Sequence, residues 1–162
     1  MKGSLAKIVS GGQTGVDRGA LDAALEAGFP CGGWAPAGRI AEDGPIPARY
    51  PLAELKGGGY EERTLQNVLD SDGTAILYFG ELEGGTRLTA QYCQEHRKPC
   101  ELLNAERLSP KQAAREIIAF VAGKRIKVLN IAGPRASKWP DARDYSRDTI
   151  VLVLAAFAAT KN

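Results

Sequence analysis

Histidine, methionine and cysteine are scarce in this chain, with one, one and three copies among 162 residues. A lone histidine, His96, leaves little room for a Ser-His-Asp triad, and there is no G-x-S-x-G elbow. Cys93-x-x-His96-x-x-x-Cys100 is not a complete zinc spacing, so no metal site is expected there and the two thiols read as buried. The odd cysteine count, without a basic-then-apolar leader pattern, points to reduced thiols and a cytoplasmic setting. Long apolar runs are also missing. The run IVLVLAAFAA, Ile150 to Ala159, is about half the length that a bilayer-spanning helix needs, so it is expected to be buried, with no membrane partner. Neither charge sign dominates: 21 Lys and Arg against 19 Asp and Glu leave a net +2, which gives no reason to expect nucleic acid as a partner. Any anion site must therefore be local. No internal repeat or linker interrupts the chain, and one Rossmann-like ligand-binding domain over residues 1–162 is expected.

What the chain does have is a regular alternation. Ala6 to Val9 reads as a strand that meets glycine at once, and Leu21, Ala24, Leu25 and Gly28 then mark one helical face that ends at Gly28. Cys31 to Pro36 reads as a short second strand, and Ala37 to Gly59, rich in Gly, Pro and charge, as a long ordered loop. A helix over Tyr60 to Asp70, burying Leu65, Val68 and Leu69, precedes a strand over Thr74 to Phe79. Further on come a helix over Arg87 to Arg97, a strand over Cys100 to Asn104 and a helix capped by Ser109, opened by Pro110 and stopped at Gly123. A strand over Ile126 to Gly133 and a helix over Ala142 to Thr160 complete the chain. The alternation implies an α/β fold, a parallel sheet with helices on both faces in the Rossmann-like class, whose ligands sit at the carboxyl ends of the strands.

Three of those strand ends carry glycine turns, where backbone amides and a following helix N-terminus suit an anion. The first, GGQTGVDR, supplies Gly11, Gly12, Thr14, Gly15, Asp17 and Arg18, and is neither a dinucleotide G-x-G-x-x-G nor a phosphate loop ending in GK[ST]. The second supplies Gly84, Gly85 and Thr86 beside Arg87, and the third Gly133 and Arg135 near Ser137. In the long loop, Arg39 stands beside Glu42 and Asp43, where a lid over the ligand would put them to use. The expected ligand site has Arg18 and Arg135 as counterions and Thr14 and Thr86 as hydroxyl donors. The competing reading makes the glycines simple strand-to-helix turns and Asp17 a helix cap.

The segments GGQTGVDRGALDAAL, GWAPAGRIAEDGPIPARYPL, ERTLQNVLDSDGTAILYFG, GGTRLTAQYC and LNIAGPRAS together resemble the molybdenum cofactor carrier protein family. That family is a branch of the Rossmann-like superfamily that includes the Lonely Guy phosphoribohydrolases and DNA-processing protein A. The resemblance implies an oligomer that holds molybdenum cofactor as cargo and delivers it, with molybdoenzyme apoproteins as partners; Ile150 to Phe157, apolar on every face, is expected to make the contact of a homodimer or homotetramer. The hydrolase relatives carry PGG-x-GT-x-x-E, whereas EGGTRLT lacks the proline and the spacer and has Thr89 where the catalytic glutamate would stand. That loss argues for carrying over consuming, so no catalytic residue is assigned. The alternative is a protein that binds or hydrolyses a nucleoside monophosphate, with Asp17 or Glu83 as a displaced carboxylate and Glu81 on the same loop.

Overall fold

The structure, a computed structural model, describes residues 4–159. Its elements in chain order are β1 (Lys7–Val9), α1 (Val16–Glu26), β2 (Cys31–Gly32), β3 (Trp34–Ala35), β4 (Ile40–Ala41), β5 (Gly44–Pro45), β6 (Ala53–Glu54), α2 (Tyr60–Leu69), β7 (Gly73–Tyr78), α3 (Gly84–Glu95), β8 (Cys100–Asn104), α4 (Pro110–Lys124), β9 (Val128–Ala132) and α5 (Ala142–Ala159). Five strands form one parallel sheet in the order β2-β1-β9-β7-β8. Numbered from β9, that order is the 3-2-1-4-5 arrangement of a Rossmann sheet, with the last strand of the chain in the place of the first. Strand order reverses beside β9, so a ligand crevice belongs at the carboxyl ends of β9 and β7.

The two faces of the sheet differ. Beneath α1, α4 and α5 the strands present Ala75, Leu77, Leu103, Leu129 and Ile131 to Ile117, Val121, Ile150, Val153 and Phe157, which makes the main apolar core. Because side chains alternate along a strand, Thr74 and Asn130 point the other way, under α2 and α3, and are hydrogen-bonded to each other at 3.2 Å. On this second face α2 buries Arg63 and Asn67 together with Val68, whereas Leu69 is exposed and Leu65 only half-buried. The apolar face expected for that helix is therefore largely replaced by a polar one, in which Arg63 meets the Gly11 carbonyl and Asn67 the Trp34 backbone.

Several boundaries shift for local reasons. Cys31 to Pro36 is not one strand: β2 joins the main sheet and β3 pairs with β6, with Gly33 between them at φ 128° against the Ser10 backbone. The loop over 37–59 is partly structured, since β4 pairs with β5 and a short 3-10 turn spans Ala37–Arg39. Helix α3 begins at Gly84, and α4 passes Gly123 to end at Lys124, with Arg125 taking the left-handed conformation. Helix α5 is not buried all round, because Val151 and Leu152 are 39% and 42% exposed; Thr160 lies outside the described residues.

The glycine turns fit tightly against one another. A Cβ on Gly133 would collide with the Leu77 carbonyl oxygen and stand 2.6 Å from Val16 Cγ2, neither of which can move without displacing a strand or a helix. Gly133→Ala is expected to cost about 3 kcal/mol or more, read as a fall in denaturant midpoint with an unchanged slope. A midpoint equal to that of the unsubstituted protein would contradict this packing.

Candidate functional site

A groove of about 710 Å³ opens at the carboxyl ends of β1, β9 and β7, between α2 and α3. Its floor is Asn130 to Gly133, one wall is Tyr60, Arg63, Thr64 and Asn67 of α2, and the other is Gly84 to Thr89 of α3. Phe79, half exposed, stands against Trp139 with ring centroids 5.9 Å apart and gives the mouth an aromatic side.

Asp17 and Arg63 are the charged pair of the interior. Asp17 sits in the first turn of α1 and accepts the Gln13 amide at 3.2 Å. Burial pushes its carboxyl up to about 6, although the Arg63 guanidinium and the Gln13 bond pull the other way. Arg63 is only 7% exposed; its Nη1 donates to the Gly11 carbonyl and its guanidinium lies 5.7 Å from the Tyr60 ring centre. One partner for a group with five N–H donors leaves most of its capacity turned to the groove. Burial drives its pKa down while Asp17 raises it, and the guanidinium stays cationic at neutral pH because its reference value is so high. Across the groove, no side chain caps the N-terminus of α3, so the amides of its first turn add partial positive charge.

Of the site residues read from the sequence, the fold brings Gly11, Asp17, Gly84, Gly85, Thr86, Gly133 and Arg135 to this groove. It places Gly12, Thr14, Gly15, Arg18 and Arg39 elsewhere. Arg18 is buried, with its fork on the Asp43 carboxylate at 2.5 and 2.8 Å and its Nε on the Gly12 carbonyl at 3.1 Å, so its charge is already matched. That ion pair holds Asp43 below the usual carboxylate range. Arg39 donates to the carbonyls of Leu52, Ile46, Pro47 and Tyr50 and so organises its own loop. Thr14 donates to Glu42 and accepts from the Ala136 amide, while Gly12 and Gly15, at φ 78° and 83°, serve close packing.

Glu42 is a clamp. Besides Thr14, it takes the Ser137 amide at 3.1 Å and the Ser137 hydroxyl at 2.6 Å, with Arg135 Nε at 3.4 Å, and so ties the long loop to the turn after β9. Thr89, in the place of the hydrolase glutamate, returns its hydroxyl to the Gly85 carbonyl at 2.9 Å. Glu81 and Glu83 line the mouth. Arg63, Asn67 and Asn130 were missed by sequence reasoning, which looked to glycine turns; the one available signal was the spacing of Arg63 and Asn67, one helical turn apart.

Among the described residues no three His, Cys, Asp or Glu side chains converge as a metal site, and no helix is long and apolar enough to cross a membrane. No curated protein matches the chain. One solved structure is similar, a Syntrophus aciditrophicus protein described as "putative molybdenum carrier protein", 45% identical, with a TM-score of 0.92 over 95% of this chain and 98% of that one. The model of the circularly permutated YpsA SLOG family matches residues 8–154, in keeping with a Rossmann sheet whose first strand has moved to the end of the chain. The chain belongs to that family.

Proposed function

We propose that the groove binds a phosphorylated planar heterocycle, molybdenum cofactor foremost, and that the protein stores and delivers this cargo without converting it. The observation that carries the reading is Arg63, a buried cation in the α2 wall of the groove with one protein acceptor and a facing helix N-terminus. Its remaining N–H donors have no protein acceptor among the described residues and open onto the groove, where an anion can take them. The ester phosphate sits between Arg63 and the Gly84–Gly85–Thr86 amides, with Arg135 and Gly133 at the edge and the ring toward Phe79 and Trp139. The name given to the 45% identical neighbour supports molybdenum as part of the cargo.

Asp17 favours a second reading. A carboxyl near pKa 6 beside the anion site is suited to general acid catalysis, as a nucleoside monophosphate hydrolase would need. Thr89 in the glutamate position, and Glu83 on the exposed turn, make this the weaker choice.

The chain acts as a single ligand-binding domain in the cytoplasm and hands its cargo to molybdoenzyme apoproteins. Exposed Val151, Leu152, Ala155 and Ala158 on one stripe of α5 provide the contact for a homodimer or homotetramer. Native mass spectrometry of the protein mixed with molybdenum cofactor and AMP, oxygen excluded, reads both questions at once. An oligomer retaining intact cofactor is expected. Adenine and ribose phosphate among the products would establish the hydrolase, and a monomer at micromolar concentration would remove the α5 contact.

A further inference from the structure

The polar face of the sheet holds a group that phosphate binding leaves unused. Asn130 is 3% exposed, yet it lines the groove floor. Its Nδ2 donates to Thr74 Oγ1 at 3.2 Å. Thr74 is itself fully buried. With its amide nitrogen on the Thr74 hydroxyl, Asn130 turns its oxygen the other way. Among the described residues no donor reaches Asn130 Oδ1, and no fully buried side-chain oxygen lacks a partner, so that oxygen opens onto the groove.

We infer that Asn130 Oδ1 is a specificity-determining acceptor that selects ligands presenting an N–H edge, with Thr74 as the positioning residue that keeps the amide from flipping. This rests on the proposed binding of a phosphorylated heterocycle. The chemistry selected is an amino group or ring N–H on a planar ring, which aminopurines and pterins share. A ring that offers only acceptors at this point leaves Oδ1 desolvated and unpaired, and that penalty is the source of discrimination.

The test is a set of affinities for four probes: purine riboside 5′-monophosphate, which carries no N–H donor on its ring, AMP, GMP and phosphorylated 6-hydroxymethylpterin. At least one donor-bearing probe is expected to bind about tenfold tighter than purine riboside 5′-monophosphate. Preference for AMP or GMP would name a nucleotide as the source, and preference for the pterin a cofactor. In Asn130→Leu the preference is expected to vanish, chiefly because purine riboside 5′-monophosphate, no longer set against an unpaired acceptor, binds about tenfold tighter. Thr74→Val, read in the same way, should shrink the preference with the phosphate term intact, and it serves if Asn130→Leu does not fold. Equal binding of all four probes, or a preference that survives both substitutions, overturns the role of Asn130 and leaves phosphate binding standing. If none of the four binds, the phosphate reading fails and this inference with it.

Discussion

Arg63→Met is expected to weaken binding of any phosphate ester by about a hundredfold, the equivalent of one strong charge-assisted interaction. The folded state should survive, because the guanidinium's one hydrogen bond among the described residues is to the Gly11 carbonyl, and Asp17, whose pKa is already about 6, takes a proton more readily once the cation is gone. Arg63→Lys keeps the charge but loses the planar fork, and should recover only part of the affinity. The informative contrast is Arg18→Met. Arg18 is equally buried, but both arms of its fork rest on Asp43, so its removal should lower the melting temperature and hardly change affinity. Calorimetric titration of the two variants with one phosphate ester separates the roles. Equal losses of affinity would return Arg18 to the ligand site.

The second large effect is on pH. Asp17 has a folded pKa of about 6 against a reference of 3.8, so it is protonated below that value and negative above it, in a groove proposed to take an anion. Affinity should therefore be highest below about pH 6 and fall as pH rises. A carboxylate about 5 Å from the anion, at an effective dielectric near 20, sets a limit of about three hundredfold on the fall. Because a phosphate ester titrates near the same pH, the clean probe is a sulfate ester, whose charge is constant across the range. Asp17→Asn should flatten the profile and hold the low-pH affinity at pH 8. The sign for stability is the same. Between about pH 4 and 6 the folded chain holds a proton that the unfolded chain has lost, so stability falls as pH rises through that window, by up to about 3 kcal/mol. A sulfate-ester affinity independent of pH in the unsubstituted protein would show that Asp17 does not face the bound anion.

The sheet class and the strand-end location of the site were legible in the chain, since both follow from local alternation and from glycines placed after apolar runs. The pairing order was not. Nothing local says that β9, last in sequence, lies between β1 and β7, because parallel neighbours are joined through crossovers of any length. The glycines were legible as turns, but their reasons differ. Gly11 lies under the Arg63 guanidinium at the groove, whereas Gly12 and Gly15 are required by positive φ and close packing. A single sequence presents all three as the same signal.

Arginines show the same limit more sharply. Arg18, Arg39 and Arg63 are alike in chemistry, yet one is neutralised by Asp43, one fastens its own loop, and one faces the groove. What the sequence by itself determined is the alternation of strands and helices, the anion-friendly turns and the absence of a glutamate at Thr89, all properties of neighbouring residues. Only the tertiary structure decided which cation is left with unused donors, that Asp17 is buried beside it, and that Asn130 lies at the groove floor bonded to Thr74. The physical reason is that satisfaction of a buried polar group is a property of everything within hydrogen-bonding distance, and those partners come from segments far apart along the chain.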